Sequence, residues 1–593
     1  MSDYYAPIQD IQFVIEEIAE LDKVAQLSGY EEATPDLVEA ILEQAGVFAN
    51  EVFGPLNHGG DQHGTYVEDG IVVSPPGYAE AYRQFTENGW QGLGKSVDYG
   101  GQGMPFLVHS AVAEMWYASN MAFALCPLLT SGAIEAMNLH ATDELRERYL
   151  GKMVSGEWSG TMNLTEPQAG TDLAAIKTRA EREGDHYRIR GQKIYITWGE
   201  HELSENIVHM VLARLPDAPP GVKGISLFLV PKYLANGDGS RGARNDLKVV
   251  SVESKLGIHS SPTCVMSYGD GEGAIGYLMG EEHNGLACMF TMMNNARLEV
   301  GLQGVAISER AYQKAVAYAK ERVQGVAHGQ TERSTIIHYP DVRRMLMQMR
   351  VITEAGRALA YLTSADTDRA EKAGSTEERM HYQRRVDLMI PIVKGWCTEM
   401  AQESTYLGVQ IHGGMGFIEE TGAAQHMRDA RILTIYEGTT GIQALDLMGR
   451  KLMRDKGQAM IQLIEELDTL GPLLRSAEGE LGGIAGSYVA AVADLRETTQ
   501  WYLLNAANDP ELGNAVGVNY LMMCGHVVCA WLMARSALAA QARVEAGASD
   551  RYYANKIKSA VFFAEHMLPR SAAQARIVRA GKSSMMNIAA EDF

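Results

Sequence analysis

The chain has 593 residues, of which 46 % are hydrophobic, and 74 Asp and Glu stand against 52 Lys and Arg for a net charge of −22. That length provides for about four domains of ~150 residues, and the acidity argues against a nucleic-acid backbone or an anionic lipid surface as the main partner. The six cysteines are scattered without a CxxC, as expected of a reducing compartment.

In chain order, residues 1–34 form an N-terminal extension. The opening MSDYYAPIQDIQFVIEE has neither the basic start and apolar run of a secretory signal nor the arginines of a transit peptide, so a cytoplasmic protein is expected. Over 35–158 apolar residues recur three and four apart, after a Thr-Pro start signal, which predicts a helical domain. Over 159–275 the texture changes to short β-branched or alternating runs, HYRIRGQKIYITW and GISLFLVPKYL among them, parted by Gly, Pro and Asp, which predicts a β domain.

Helical patterns long enough to cross a bundle return over 276–455. The Gly-rich SAEGELGGIAGS (476–487) reads as a hinge within an appended helical domain, 456–593, whose charge is close to neutral. The stretch 512–534 could span a bilayer by length, yet it carries two Asn, a His and three Gly, and a helix buried inside a large protein reads the same way; no membrane insertion is expected. The order helix, sheet, helix, helix suggests a helical frame with a β insert.

Two motifs fail on context. GWQGLGKS (Gly89–Ser96) fits the phosphate-loop formula, but it follows a helical segment and runs into VDYGGQGMP, where that loop needs a strand before it and a helix after it. HELSE (His201–Glu205) lacks the second His, four residues on, that would place two zinc ligands on one helix face. No metal site is expected.

Other segments hold together. Glu437 follows the apolar run Ile432, Leu433, Ile435, Tyr436 and precedes a Gly-Thr-Thr-Gly bend. An acid in a poorly hydrated setting has its neutral form favoured and its basicity raised. With TEPQAGTD (165–172), KIYITWGE (193–200), RLEVGLQGVA and AVAYAKER (within 297–322), and IHGGMGF followed by MRDARILTIYEGTTGIQ (411–443), it forms an ordered series that, together with the helix, sheet, helix layout, covers about 40–450. In that series the chain resembles the acyl-CoA dehydrogenases. YAPIQDIQFVIEE, the phrase from LGIHSSPTC to EEHNGL, MFTMMNNARL and the appended domain are similar to a large bacterial subgroup. That subgroup includes 3-methylmercaptopropionyl-CoA dehydrogenase as well as enzymes of ordinary fatty acyl-CoAs.

The resemblance implies a mainly α fold with a β-barrel insert: a helical domain, the β domain, a four-helix bundle carrying the base, and the appended helical domain. It implies FAD and the α,β-dehydrogenation of an acyl-CoA, short or medium in chain with 3-methylmercaptopropionyl-CoA among the candidates. Electrons would pass to an electron-transfer flavoprotein. Alternatives are an acyl-CoA oxidase using oxygen and a non-dehydrogenase flavoprotein of the alkylation-response type, which would want a basic C-terminal surface.

By that likeness Glu437 is the base that takes the proton beside the thioester carbonyl, and its backbone amide helps to hold the thioester oxygen. Gly438 lets the chain pass close to the ligands. Some members carry the base immediately before the Arg that matches Arg297; Ala296 stands there, which leaves Glu437. Arg297 would be a positioning and electrostatic residue, or else one half of an inter-helix ion pair.

Met162, Leu164 and Thr165 would bond the flavin ring's polar edge, with Thr171 near the pyrophosphate and the substrate. Tyr195 and Thr197 would share one face of a strand, the ring packing on the flavin and the hydroxyl bonding near N5. Arg322, Gln410 and Gly414 match contacts to a neighbouring subunit's FAD, and Thr439 matches another cofactor contact, which implies more than a lone monomer. In similar large members the appended domain occupies the face that smaller members use to form tetramers, so a homodimer is expected. The chain departs from the pattern at Gly325, where an aromatic is usual, at Trp198, where Asn is common, and at Gly441, which replaces a polar residue.

Overall fold

The protein is described from a computed structural model that covers residues 4–593. The helices that matter below are α1 (Ile8–Glu17), α2 (Phe106–His140), α3 (Gly285–Glu321), α4 (Pro340–Lys372), α5 (Thr376–His412), α6 (Thr440–Leu445), α7 (Leu512–Glu545) and α8 (Arg551–Phe562). The chain divides into two compact units, one of residues 47–104 and 119–296, the other of 4–46, 105–118 and 297–593. Asn120, with φ −155° and ψ 86°, interrupts α2 near one of these divisions. Its side-chain oxygen accepts from Phe123 N at 3.2 Å, so it caps the helix that restarts there.

The first unit is built on one eight-stranded sheet. Its strands are β1 (Trp158–Asn163), β2 (Arg179–Glu183), β3 (His186–Thr197), β4 (Asn206–Arg214), β5 (Ile225–Pro231), β6 (Leu247–Val252), β7 (Thr263–Tyr268) and β8 (Ala274–Met279). They lie in the order β6-β7-β3-β8-β5-β4-β1, with β2 against β3. Only the single pair Arg179–Arg214 also ties β2 to β4, so the expected barrel is a curled sheet whose closure rests on one contact. Period-two alternation explains why both faces are apolar: Val208, Met210 and Leu212 of β4 enter one core with Trp158 and Ile134. Val211 and Ala213 enter the other with Ile189, Ile196 and Phe228.

The rejected motifs sit in this unit as structural features. Lys95 of GWQGLGKS is buried and pairs with Glu135 at 2.8 Å, which leaves it no phosphate to meet. His201 of HELSE is buried and bonds Ser159 Oγ at 3.0 Å.

The second unit packs long helices. α5 opens with a capping box, the Ser375 side chain taking Glu378 N while the Glu378 side chain returns to Ser375 N. Gly301 and Gly304 let α3 lie close on α5, because a Cβ at Gly301 would meet Val393 Cγ1 at 2.5 Å and one at Gly304 would meet the Cys397 carbonyl oxygen at 2.6 Å. Gly304→Ala is therefore expected to force the two helices apart at a cost of about 1–3 kcal/mol. A lowered thermal midpoint together with reduced turnover would register it.

The apolar stretch 512–534 lies in α7, which packs on α4 and α5, and 89 % of its most apolar window is buried. The expected hinge at 476–487 is a correction: only 477–479 leave the helical state, and a helix runs on from Glu480 to Ala506. Leu481, Ile484 and Ala485 are buried from that helix, so packing of its apolar face outweighs the cost of its glycines.

Arg357 of α4 is buried at the centre of an ionic cluster in this unit. It reaches Asp10 of α1 at 2.5 Å, Glu114 of α2 at 2.5 Å and Glu309 of α3 at 2.9 Å. Lys556 of α8 pairs with the same Asp10 at 2.6 Å and with Glu354 at 3.2 Å. One charge cluster thus fastens the N-terminal extension and the C-terminal domain to the bundle helices.

Candidate active site

The segment that carries Glu437 is a chain of short turns. A helix over Ala423–Ala430 tightens into a 3₁₀ turn, Arg431–Thr434, and α6 begins at Thr440 with the Thr439 hydroxyl accepting from Ile442 N at 3.3 Å. Between them the backbone turns through two left-handed residues, Glu437 at φ 53° and Gly438 at φ 89°. Glycine adopts this freely, but a glutamate there is strained by about 1–2 kcal/mol.

Hydrogen bonds hold the corner. The Gly438 carbonyl accepts from Lys394 Nζ at 2.7 Å and from Gln443 Nε2 at 3.2 Å, and the Glu437 carbonyl also accepts from Gln443 at 3.2 Å. Thr440 Oγ1 donates to Glu399 of α5 at 2.5 Å. By contrast no protein group among the described residues accepts from the Glu437 N–H. The corner therefore presents one backbone donor and one carboxylate from the same residue.

The expected apolar wall is a second correction. Leu433 is buried in the core, but Ile435 is 46 % exposed and Tyr436 turns its hydroxyl to Gln303 Oε1 of α3. Two cations face the half-buried carboxylate instead, Arg297 from α3 and Lys394 from α5. Burial raises the pKa of Glu437 above the usual carboxylate value, and the two cations pull it back. Lys394 in turn is lowered by burial to about 7, with Glu437 opposing that shift and Arg297 adding to it.

Arg297 is buried and pairs with Asp446 at 3.2 Å, so the ion-pair role and proximity to the carboxylate hold together. Polar capacity is left over around the corner: Arg297 Nε and Gln443 Oε1 are buried and meet no hydrogen-bond partner among the described residues. A ligand with its own polar atoms suits such a set.

In the first unit, the segment after β1 is laid beside the end of β3. Ile194 N donates to the Thr165 carbonyl at 2.9 Å and Lys193 Nζ to the Leu164 carbonyl at 3.0 Å. Lys193 also pairs with Glu166 at 2.9 Å, and Glu166 takes Lys177 N, Thr178 N and the Thr178 hydroxyl, so this buried carboxylate organises the TEPQAGTD loop. Burial would raise the Glu166 pKa, but Lys193 and those donors outweigh it and hold it at about 2.

Tyr195 lies in a bulge: Cys264 pairs with Ile196 and Met266 with Lys193, leaving two residues of β3 opposite one of β7, and Tyr195 takes φ 60°. Its ring is 60 % exposed, and Thr197 is half-buried beyond the buried Ile196. Met162 is buried at the end of β1, Leu164 and Thr165 are half-buried, and Thr171 is exposed. The hydroxyls of Thr165, Thr171 and Thr197 meet no protein partner among the described residues. An accessible aromatic with unclaimed hydroxyls is a donor set that fits the ring and polar edge of FAD. Trp198 is no part of it, being buried between Tyr78 and His201 with its indole N–H on the Ala122 carbonyl at 3.1 Å.

Arg322, Gln410 and Gly414 are exposed at one end of the bundle in the second unit, where Tyr318 of α3 stacks on His412 of α5 at 4.4 Å. They lie apart from the Glu437 corner; Thr439 is beside it, exposed, and already engaged as a helix cap. Sequence reasoning passed over Lys394, Gln443, Asp446 and Glu166. Lys394 left a signal, a lone cation inside the apolar run Met389–Cys397; Gln443 and Glu166 left none beyond their motifs, and Asp446 left none.

Family models match in order: Acyl-CoA dehydrogenase, N-terminal domain over 31–157, middle domain over 161–270 and C-terminal domain over 283–452. Acetyl-CoA dehydrogenase C-terminal like follows over 459–589. The chain is 48 % identical to the 3-methylmercaptopropionyl-CoA dehydrogenase of Ruegeria pomeroyi, covering 98 % of this chain and 99 % of that one. It is 32 % identical to a butyryl-CoA dehydrogenase of Syntrophomonas wolfei over 100 % and 99 % of the two chains. In fold it resembles an acyl-CoA dehydrogenase complexed with FAD from Bacillus anthracis, at TM-score 0.74 and 21 % identity, covering 94 % and 90 %. The chain belongs to the acyl-CoA dehydrogenase family and is an FAD-dependent oxidoreductase.

Proposed function

We propose that the protein dehydrogenates a short-chain acyl-CoA thioester to its trans-2-enoyl-CoA, with 3-methylmercaptopropionyl-CoA as the foremost substrate, and passes the electrons to an electron-transfer flavoprotein. The observation that carries the reading is the Glu437 corner, where a carboxylate of raised pKa and an unclaimed backbone N–H belong to one residue. Removing a proton next to a thioester needs a base strong enough to take it and a donor for the charge that develops on the carbonyl oxygen. Glu437 supplies both.

Bound FAD supplies the acceptor for the hydride that leaves the β-carbon. Thr165 and Thr197 would hold its ring by their hydroxyls, Tyr195 would pack on it, and Met162 and Leu164 would line it. Thr171 would reach the pyrophosphate and the substrate. On the protein's side, Glu437 takes the α-proton onto its carboxylate, and its N–H donates to the thioester oxygen. Gly438 lets the backbone come close, while Arg297 keeps a positive charge near the carboxylate.

Arg322, Gln410 and Gly414 would serve a neighbouring subunit's cofactor across a homodimer, and Thr439 would make another cofactor contact beside Glu437. Exposed Met415 and Phe417 beside Gly414 offer an apolar surface for the second copy. A cytoplasmic location fits six free, buried cysteines.

The substrate is favoured by likeness to the Ruegeria enzyme along nearly the whole chain. A panel of acyl-CoAs scored by flavin bleaching tests it: the methylmercaptopropionyl and butyryl esters should bleach fastest and long chains slowly. Fastest bleaching by a long-chain ester would overturn the substrate assignment. Substrate-reduced protein should stay reduced in air for far longer than seconds, until an electron-transfer flavoprotein is added. Reoxidation in air within seconds would mark an oxidase.

A further inference from the structure

We propose that Lys394 is a positioning residue for proton abstraction, its ammonium fixing the backbone corner that carries Glu437 and its charge setting how basic that carboxylate is. The proposal rests on the reading of Glu437 as the base.

Lys394 lies on α5 with no exposed surface. The one hydrogen bond its ammonium makes among the described residues is to the Gly438 carbonyl at 2.7 Å, and it makes no direct ion pair there with any carboxylate. Lysines are almost never fully buried unless paired, because removing an ammonium from water costs several kcal/mol. A carbonyl needs only an N–H, which a glutamine would give without that cost. An unpaired cation held behind the candidate base is therefore explained better by its field than by its hydrogen bond alone.

The geometry shows how the field and the bond act together. The carbonyl that Lys394 holds belongs to the second of two consecutive left-handed residues. Gln443 grips the same carbonyl from α6 and the Glu437 carbonyl as well, so the peptide after Gly438 is clamped from two helices and the one before it from α6. With those peptides fixed, the Glu437 carboxylate and N–H keep one orientation although the backbone there is strained. Gly301 and Gly304 set the close approach of α3 to α5 that brings Arg297 and Lys394 to the same carboxylate.

The charged groups around the pair are few. Arg297 faces it from α3 and is itself tied to Asp446, which Arg450 also approaches at 3.7 Å. Glu399 acts on Lys394 from its own helix, and Tyr436 lies next to Glu437 with its hydroxyl on Gln303. With Arg297 committed to Asp446, Lys394 is the cation left to act on Glu437 without a carboxylate of its own. Burial lowers it to about 7, so its charge is held below neutrality and fades above it. The pull on Glu437 fades with it, and the base strengthens as the pH rises.

The test is the pH dependence of single-turnover flavin bleaching by butyryl-CoA in the full-length, FAD-loaded protein. Deprotonated Glu437 is the active form, so the rate climbs with pH through its pKa. In Lys394→Met the lost cation should move that climb upward by about one pH unit, and at the foot of the curve bleaching should be about tenfold slower. Lys394→Arg, which keeps the charge, should restore the wild-type position. If Lys394→Met fails to hold FAD, Lys394→Gln carries the same measurement, because it keeps an N–H for the carbonyl and removes only the charge.

A Lys394→Met or Lys394→Gln protein with the wild-type curve would overturn the proposal and make Lys394 a packing residue. The reading of the base fails separately, by bleaching of Glu437→Gln at the wild-type rate.

Discussion

Glu437→Gln is expected to purify as a yellow protein that binds acyl-CoA and is not bleached by it. The amide has the shape of the carboxylate and leaves the backbone N–H in place, but it cannot take a proton. General-base catalysis contributes about 10²–10⁴-fold, and at the upper end of that range bleaching falls from a stopped-flow event to one followed by hand. The corner is held by bonds from Lys394 and Gln443 to backbone carbonyls, not by the Glu437 carboxylate, so the substitution should leave it standing. FAD content and thermal midpoint should match the wild type. Bleaching near the wild-type rate would place the base elsewhere.

Arg357→Leu is expected to give the largest loss of stability. Removing this guanidinium leaves Asp10, Glu114 and Glu309 buried around an apolar side chain, and breaking a buried ionic cluster by deleting one partner costs about 3–5 kcal/mol. The effect should spread to the chain ends, because Asp10 belongs to α1 and its other partner, Lys556, to the C-terminal domain. Thermal unfolding followed by circular dichroism should begin many degrees earlier, with proteolysis near the N-terminus. Arg357→Lys should recover only part, since an ammonium cannot reach three carboxylates as the planar fork does.

The pH dependence of this cluster has a definite sign. Burial alone would raise the Asp10 carboxyl, but Lys556 and Arg357 more than reverse it and hold it well below its ordinary value of 3.8. A carboxyl lowered on folding adds stability that is complete above its unfolded value and is lost as the pH falls below it. The gap between wild type and Arg357→Leu should therefore narrow in acid. An equal gap at neutral and acid pH would mean that the cluster does not act through charge.

The helix, sheet, helix layout was legible because each period lasts long enough to read: β-branched alternation over β3 to β5, helical spacing in α3 to α5. The curl of the sheet was not, since its closure turns on one pair, Arg179–Arg214, that no local pattern announces. The apparent hinge at 476–487 misled because glycine content is local while burial of Leu481 and Ile484 is tertiary. At the site, Glu437 and Gly438 stood out by context, and the structure sets Arg297 and Thr439 near them.

The surroundings of Glu437 could not be read. Ile432 and Ile435 suggested an apolar wall, but a run of turns does not send every apolar residue inward, and Ile435 faces out. The cations that face the carboxylate come from α3 and α5, roughly 140 and 43 residues earlier in the chain, and meet it only because Gly301 and Gly304 bring those helices together. Arg357 was as silent: a lone arginine in a helix gives no hint of acids from three other helices.

The most direct test of the account is anaerobic mixing of the purified protein with one equivalent of butyryl-CoA, followed by both flavin absorbance and product. The yellow colour should bleach in one turnover, with one trans-2-enoyl-CoA formed for each flavin reduced. Unbleached flavin with every acyl-CoA tried, or bleaching without the enoyl product, would contradict it.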